Sequence, residues 1–285
     1  MSEFSAVDIS KFPFPEMVQV LSHEEEFQKL KANLLELVPA AAEELELETE
    51  PMTIFLQRVA SEIVKIKGQV NDDSRKNTLA HSYGAALENF AFNLGVLKEE
   101  AESDDSLKRR AILAQEKRTT AGHRGMYIAH ALDAAPTEVK GVEAIKVNND
   151  GLCRIYVLAN EGSGIPNAEL IATVHDYVLP RIPLCSSLET QSAEVLEYSI
   201  AGELKFYPGV DRAAALTDCQ ARAEAFAEKR RALGYDITLH GIQGAFADPR
   251  IQNAIITAPA DDIVCADHQA AYCTGVVLTD GGHAL

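Results

Sequence analysis

Tryptophan is absent, and aromatic residues make up only 6% of the 285 positions. That leaves little of the flat stacking surface on which carbohydrate and single-stranded nucleic acid sites are built. Basic residues are also scarce, 26 against 43 acidic, for a formal charge of −17. Gripping a phosphate backbone takes clustered Lys and Arg that displace counterions, so no nucleic acid partner is expected. No apolar run approaches the roughly 20 residues of a membrane helix. The first twenty residues carry Pro13, Pro15 and early acids, unlike a signal peptide. No membrane partner is expected, and the product is expected to be soluble and made in the cytoplasm. The five cysteines (Cys153, Cys185, Cys219, Cys265 and Cys273) are odd in number and far apart, which is no disulfide framework. Free, mostly buried thiols are the expectation.

What remains is an ordinary folded composition, 47% hydrophobic and 24% charged, with room for one large or several small domains. Residues 1–21 include FPFPEMVQVL, where Pro13 and Pro15 impose extended backbone among apolar side chains, an arm that must lie across some surface. Ser22 followed by Glu24, Glu25 and Glu26 opens a helix whose apolar face is Phe27, Leu30, Leu34, Leu37 and Val38, closed by Pro39. A second acidic helix is expected to about Glu48, and a third from Pro51. In the third, Met52, Leu56, Val59, Ile63, Ile66 and Val70 alternate steps of four and three, widened by Phe55. That seam fits an intramolecular bundle and a dimer interface alike. A fourth helix from Arg75 carries Leu79, Tyr83, Leu87, Phe90 and Leu94, with Gly95 as its C-cap, so the four suggest an up-and-down bundle. Ser103 caps a further helix bearing the dense basic cluster Lys108, Arg109 and Arg110. The cluster is read either as a solvated face or as a docking patch for an acidic partner, a second copy included. Another helix opens at Thr119-Thr120 and runs to Asp133.

Beyond Pro136 the period changes to that of strands. Val139–Val147 and Leu152–Ala159 flank Asn148-Asn149-Asp150-Gly151, a hairpin signal. A helix over 167–178 follows. Leu196, Tyr198, Ile200, Leu204 and Phe206 then alternate with Glu197, Ser199, Glu203 and Lys205, a strand with one wet face. Pro208-Gly209 turns into a long helix from Asp211 to Gly234. A short helix at 239–247 and strands at 251–257 and 272–279 complete the pattern, and the tail from Asp280 is expected to fray. Gly125–Asp133 is echoed by Gly241–Asp248, each followed by two strands, which suggests a duplicated unit. The reading is α+β: an N-terminal helical bundle, then two small α+β units with mainly antiparallel sheets. Its expected parts are an arm (1–21), a helical domain (22–118), a first α+β unit (119–195) and a second (196–285).

Chemistry is hard to find. Cys265, Asp267, His268 and Cys273 are zinc-ligand types without paired tight spacing, and His123 and His130 lack an H-E-x-x-H frame. Gly162-Ser163-Gly164 has no Lys to complete a phosphate loop and reads as a turn. No nucleophile elbow is present. No catalytic, metal or cofactor residue is assigned, and the chain is expected not to be an enzyme. The alternative is an acidic enzyme or ligand-binding protein whose site is assembled from distant residues.

One ordered set of fragments carries a resemblance: Leu47-Glu48-Thr49-Glu50-Pro51, Tyr83–Asn89, Gly95-Val96, Ser103–Arg110, Thr120-Ala121-Gly122, Gly125, His130-Ala131-Leu132, Tyr207-Pro208-Gly209 and Gln269–Cys273. In that order they resemble the baseplate J-like proteins of contractile-tail bacteriophages and tailocins. Lys98 departs from the pattern, standing where arginine is common. The resemblance implies a baseplate wedge component in the virion tail, assembled in the host cytoplasm and joining a ring around the central spike. Its implied partners are a second copy of itself, a smaller wedge protein, and other baseplate, sheath-initiating or spike proteins. Baseplate rearrangement would be coupled to sheath contraction. On that reading Met52, Leu56, Val59, Ile63, Ile66, Val70, Leu87, Leu107, Arg109 and Arg110 are the expected interaction residues, with the α+β units closing the ring.

Overall fold

Ser22 accepts from the Glu25 amide while the Glu25 carboxylate accepts from the Ser22 amide, a reciprocal cap that starts α1 (His23–Leu37). The coordinates are a computed structural model that describes residues 13, 17–20, 22–114, 116–118, 121–147 and 151–283. Most of the expected arm, the Thr119-Thr120 helix start, the Asn148–Asp150 turn and the last two residues lie outside them. The chain forms two compact units that divide between residues 90 and 91.

In the first unit α1 packs on α2 (Pro51–Lys76), with Phe27, Leu45, Leu56 and Ala60 as its core. Pro51 sits in the first turn of α2, where its missing N–H costs nothing. Between them the expected second helix is only two 3-10 turns, Pro39–Ala41 and Glu44–Glu46. The expected fourth helix starts late: α2 continues to Lys76, a turn follows, and α3 (Gly84–Asn93) begins at a glycine with φ 55°. The up-and-down bundle of four helices is therefore replaced by a helix pair with α3 after it. Buried Asn71 ties down the arm: its Oδ1 accepts from the Met17 and Val18 amides at 3.0 Å, and its Nδ2 donates to the Val18 carbonyl at 2.8 Å.

The second unit is the α+β part. It opens with α4 (Asp104–Leu113), capped by Ser103, and α5 (Arg124–Ala134), capped by the His123 ring. Ahead of α4, Ala101 is held at φ 63°, a region that costs an L-residue about 1–2 kcal/mol. Ala101→Gly should therefore raise stability by about 0.5–1 kcal/mol after the glycine's unfolded-state entropy is counted. An unchanged or lower urea midpoint would contradict this.

The first sheet has the order β1 (Val139–Lys146), β2 (Leu152–Ala159), β3 (Ser187–Ser192). β1 and β2 are antiparallel, whereas β3 returns parallel to β2 through α6 (Ala168–Val178). Helices α5 and α6 cover this sheet over Met126, Leu132, Ile155, Val157 and Val174. At buried Ala193, whose amide donates to Val157, the chain passes into the second sheet.

There the central strand is β4 (Glu194–Phe206), with β5 (Ile251–Ala258) antiparallel on one side and β6 (Gln269–His283) parallel on the other. α7 (Arg212–Arg230) and α8 (Leu239–Phe246) lie over it, packing Cys219, Ala223, Ile242 and Phe246 on Ile200, Leu204 and Phe206. Each sheet is thus mixed rather than mainly antiparallel, because a helical crossover returns one strand in the same direction. The duplication is not seen in the connectivity either: β1 and β2 pair with each other, but β5 and β6 each pair with β4. The tail expected to fray runs on as strand to His283, opposite Phe206.

Candidate assembly surface

Helix α2 buries Thr53, Leu56, Ala60 and Asn71. Lys67 lies along the same side, its ammonium paired with the buried carboxylate of Glu26. Those positions fix which side of the helix meets α1 and the arm, since residues three, four and seven apart share a face. The apolar seam is rotated off that side and shares only Leu56 with it. Met52, Phe55, Ile66 and Val70 are 47%, 62%, 56% and 41% exposed, and Val59 and Ile63 are half-buried. The charged residues beside the seam are already paired along the helix: Arg58 and Lys65 with Glu62, Arg75 with Asp72, Lys76 with Asp73. An apolar stripe with a polar rim is the anatomy of a contact surface.

The other expected interaction residues divide. Leu87 and Leu107 are fully buried in their own chain. Arg110 is buried too. Its Nη1 lies 2.7 Å from Glu102 Oε2 and its Nε 2.8 Å from Asp133 Oδ1, and Nη1 also donates to the Leu97 carbonyl at 3.2 Å. Lys117 binds the second oxygen of Asp133 at 2.5 Å. This arginine staples the loop before α4 to α5 and offers little to a partner. Arg109, one position along, stays exposed and donates to the Lys140 carbonyl. Periodicity carried the signal for this difference: Arg110 is three residues from Leu107, on its face, and Arg109 is not.

The residues singled out for chemistry serve structural ends. His123 accepts from the Gly125 amide as the cap of α5, and burial pushes the His130 imidazole down. Burial pushes the Cys153 thiol up to about 11 and raises Cys219 and Cys265 as well, so these sulfurs stay protonated and poorly nucleophilic. The His268 ring lies tilted against that of Tyr156, centroids 5.1 Å apart, and faces Glu194. Among the described residues no group of three His, Cys, Asp or Glu is placed to hold a metal. The Gly162–Gly164 turn presents its carbonyls inward, where Arg231 donates to those of Asn160 and Gly162. No described helix is long and apolar enough to cross a membrane.

Two likenesses to known proteins bear on the surface. Residues 48–105 match the Baseplate J-like N-terminal domain, a span that contains all of α2. Baseplate protein J of Escherichia phage P2 is 27% identical over 298 aligned residues, covering 97% of this chain and 98% of that protein. The resemblance to the baseplate J-like proteins thus holds along nearly the whole chain.

Proposed function

We infer from this whole-length likeness that the chain is a structural component of a phage baseplate, located in the tail of the virion. The finer reading is a wedge part of a contractile tail or tailocin. Copies pair through the α2 stripe of Met52, Val59, Ile63, Ile66 and Val70, with Leu56 turned into the core of its own chain, and join a smaller wedge protein and other baseplate, sheath-initiating or spike proteins. The two α+β lobes close a ring around the central spike, and its rearrangement is coupled to sheath contraction. Assembly takes place in the host cytoplasm. The observation that supports pairing is the stripe itself: apolar side chains along a 26-residue helix, left exposed beside an adequate core.

Ile66→Glu with Val70→Glu tests it. Both side chains face solvent in the single chain, so the fold should tolerate the change, with stability moving by no more than about 0.5 kcal/mol per site. Burying two new carboxylates in an apolar contact should weaken self-association on the order of 100-fold in sedimentation equilibrium. Equal association of variant and parent would remove the stripe from the interface. Co-sedimentation of the native chain with sheath, tube and spike proteins from a lysate tests the wider assignment, and a chain that never joins such a particle would sink it.

A further inference from the structure

Strand β5 ends the second sheet, with β4 on one side and no described strand on the other. Open edges are templates for foreign strands, and proteins blunt them with charge, proline, glycine bulges or covering segments. Three edges here follow that rule. β1 carries Lys140, Glu143 and Lys146, β3 carries Glu189, and β6 carries Asp280 with Gly275, Gly281 and Gly282. β5 reads IQNAIITA, with no charge, proline or glycine, and Gln252, Asn253, Ile255 and Thr257 are exposed. Residues 253–256 pair regularly with β4 between two irregularities. Apart from that ladder, no hydrogen bond from another described segment reaches the backbone of 252–257.

We propose that β5 is the edge on which two copies of this chain join, antiparallel, so that two three-stranded sheets become one of six strands. Charge selects both the occupant and the direction. In a chain of net charge −17, most faces of two copies set carboxylate against carboxylate, whereas this strand sets none. Arg250 stands at its start and Asp261 and Asp262 just past its end. Antiparallel pairing brings the Arg250 end of each copy toward the Asp261-Asp262 end of the other. Parallel pairing would stack the two acidic ends. Arg250 already bonds Asp248 and Asp218 in its own copy, yet its side chain stays 32% exposed. The proposal rests on the self-association read above and names a second contact, separate from α2.

The experiment uses the full chain carrying Ile66→Glu and Val70→Glu, so that α2 is silenced and any remaining association is scored alone. Amide hydrogen exchange is followed with protein concentration. Alternate amides within 252–257 should slow at least tenfold in concentrated protein, and adding Ile255→Lys with Thr257→Lys, which opposes like charges across the two-fold axis, should abolish the slowing. Exchange in β4 and β6 reports whether that variant is folded, and Asn253→Lys replaces it if not. Exchange at 252–257 that is independent of concentration overturns the proposal and leaves the α2 reading standing. Slowing that appears only when a different baseplate protein is added also overturns it.

Discussion

Replacing Arg110 by alanine should cost about 3–5 kcal/mol of stability, the penalty for leaving a buried carboxylate without its cation. The guanidinium is held between Glu102 and Asp133, both almost wholly out of solvent, and only Asp133 has a second cation, Lys117. Truncation would strand Glu102, whose side chain is fully inaccessible. The measurement is a urea titration followed by far-UV circular dichroism, since the chain has no tryptophan to report by fluorescence. A loss under 1 kcal/mol would mean that water replaces the guanidinium and that the staple is not a staple. Adding Glu102→Gln to Arg110→Ala should return part of the loss, because a neutral amide costs less to bury than an unpaired charge. Arg109→Ala, next in the chain, should change stability by no more than about 0.5 kcal/mol, as for exposed positions generally.

Phe206→Ala should cost a similar amount, about 3–5 kcal/mol, for a different reason. The ring is fully buried at the end of β4, where Ile251 flanks it on one neighbouring strand and His283 on the other. It is among the largest wholly buried side chains, with Phe246 from α8 in the same core. Alanine would leave a cavity that two strands and a helix cannot all close upon. Phe206→Leu, closer in volume, should lose less than half as much. If the two variants lost equal amounts in the same titration, the cavity would not be the cause.

Much of this fold could be read from local signals. Ser22 with Glu25 marked the start of α1, Asp211 the start of α7, and the alternation from Leu196 to Phe206 described β4, whereas Gly234, expected to end α7, lies beyond its last residue, Arg230. These are caps and periods, written in neighbouring residues. The end of α2 was harder. No proline or glycine interrupts the chain between Lys76 and Gly84, so the helical period of Leu79, Tyr83 and Leu87 ran across what is a turn with buried Ser82 in it. Strand direction beyond the β1–β2 hairpin was out of reach. The pairing of Glu194 with Gln269 joins residues whose partnership depends on everything between them. For the assembly surface the apolar seam was plain, but which side of α2 faced its own core was not. Asn71 and Lys67, both polar, lie on the buried side, because one clasps backbone and the other meets the carboxylate of Glu26.

The clasp at Asn71 engages only main-chain atoms of residues 17 and 18. It is indifferent to the side chains it holds, so Met17 and Val18 can be exchanged for other residues while the arm keeps its place, proline at either position excepted. The burden falls on one amide. Aspartate there would keep the acceptor and lose the donor, and leucine would lose both. The arm is thus free to change its outward chemistry toward whatever lies beside it, while its hold at residues 17 and 18 is written in one residue more than fifty positions away.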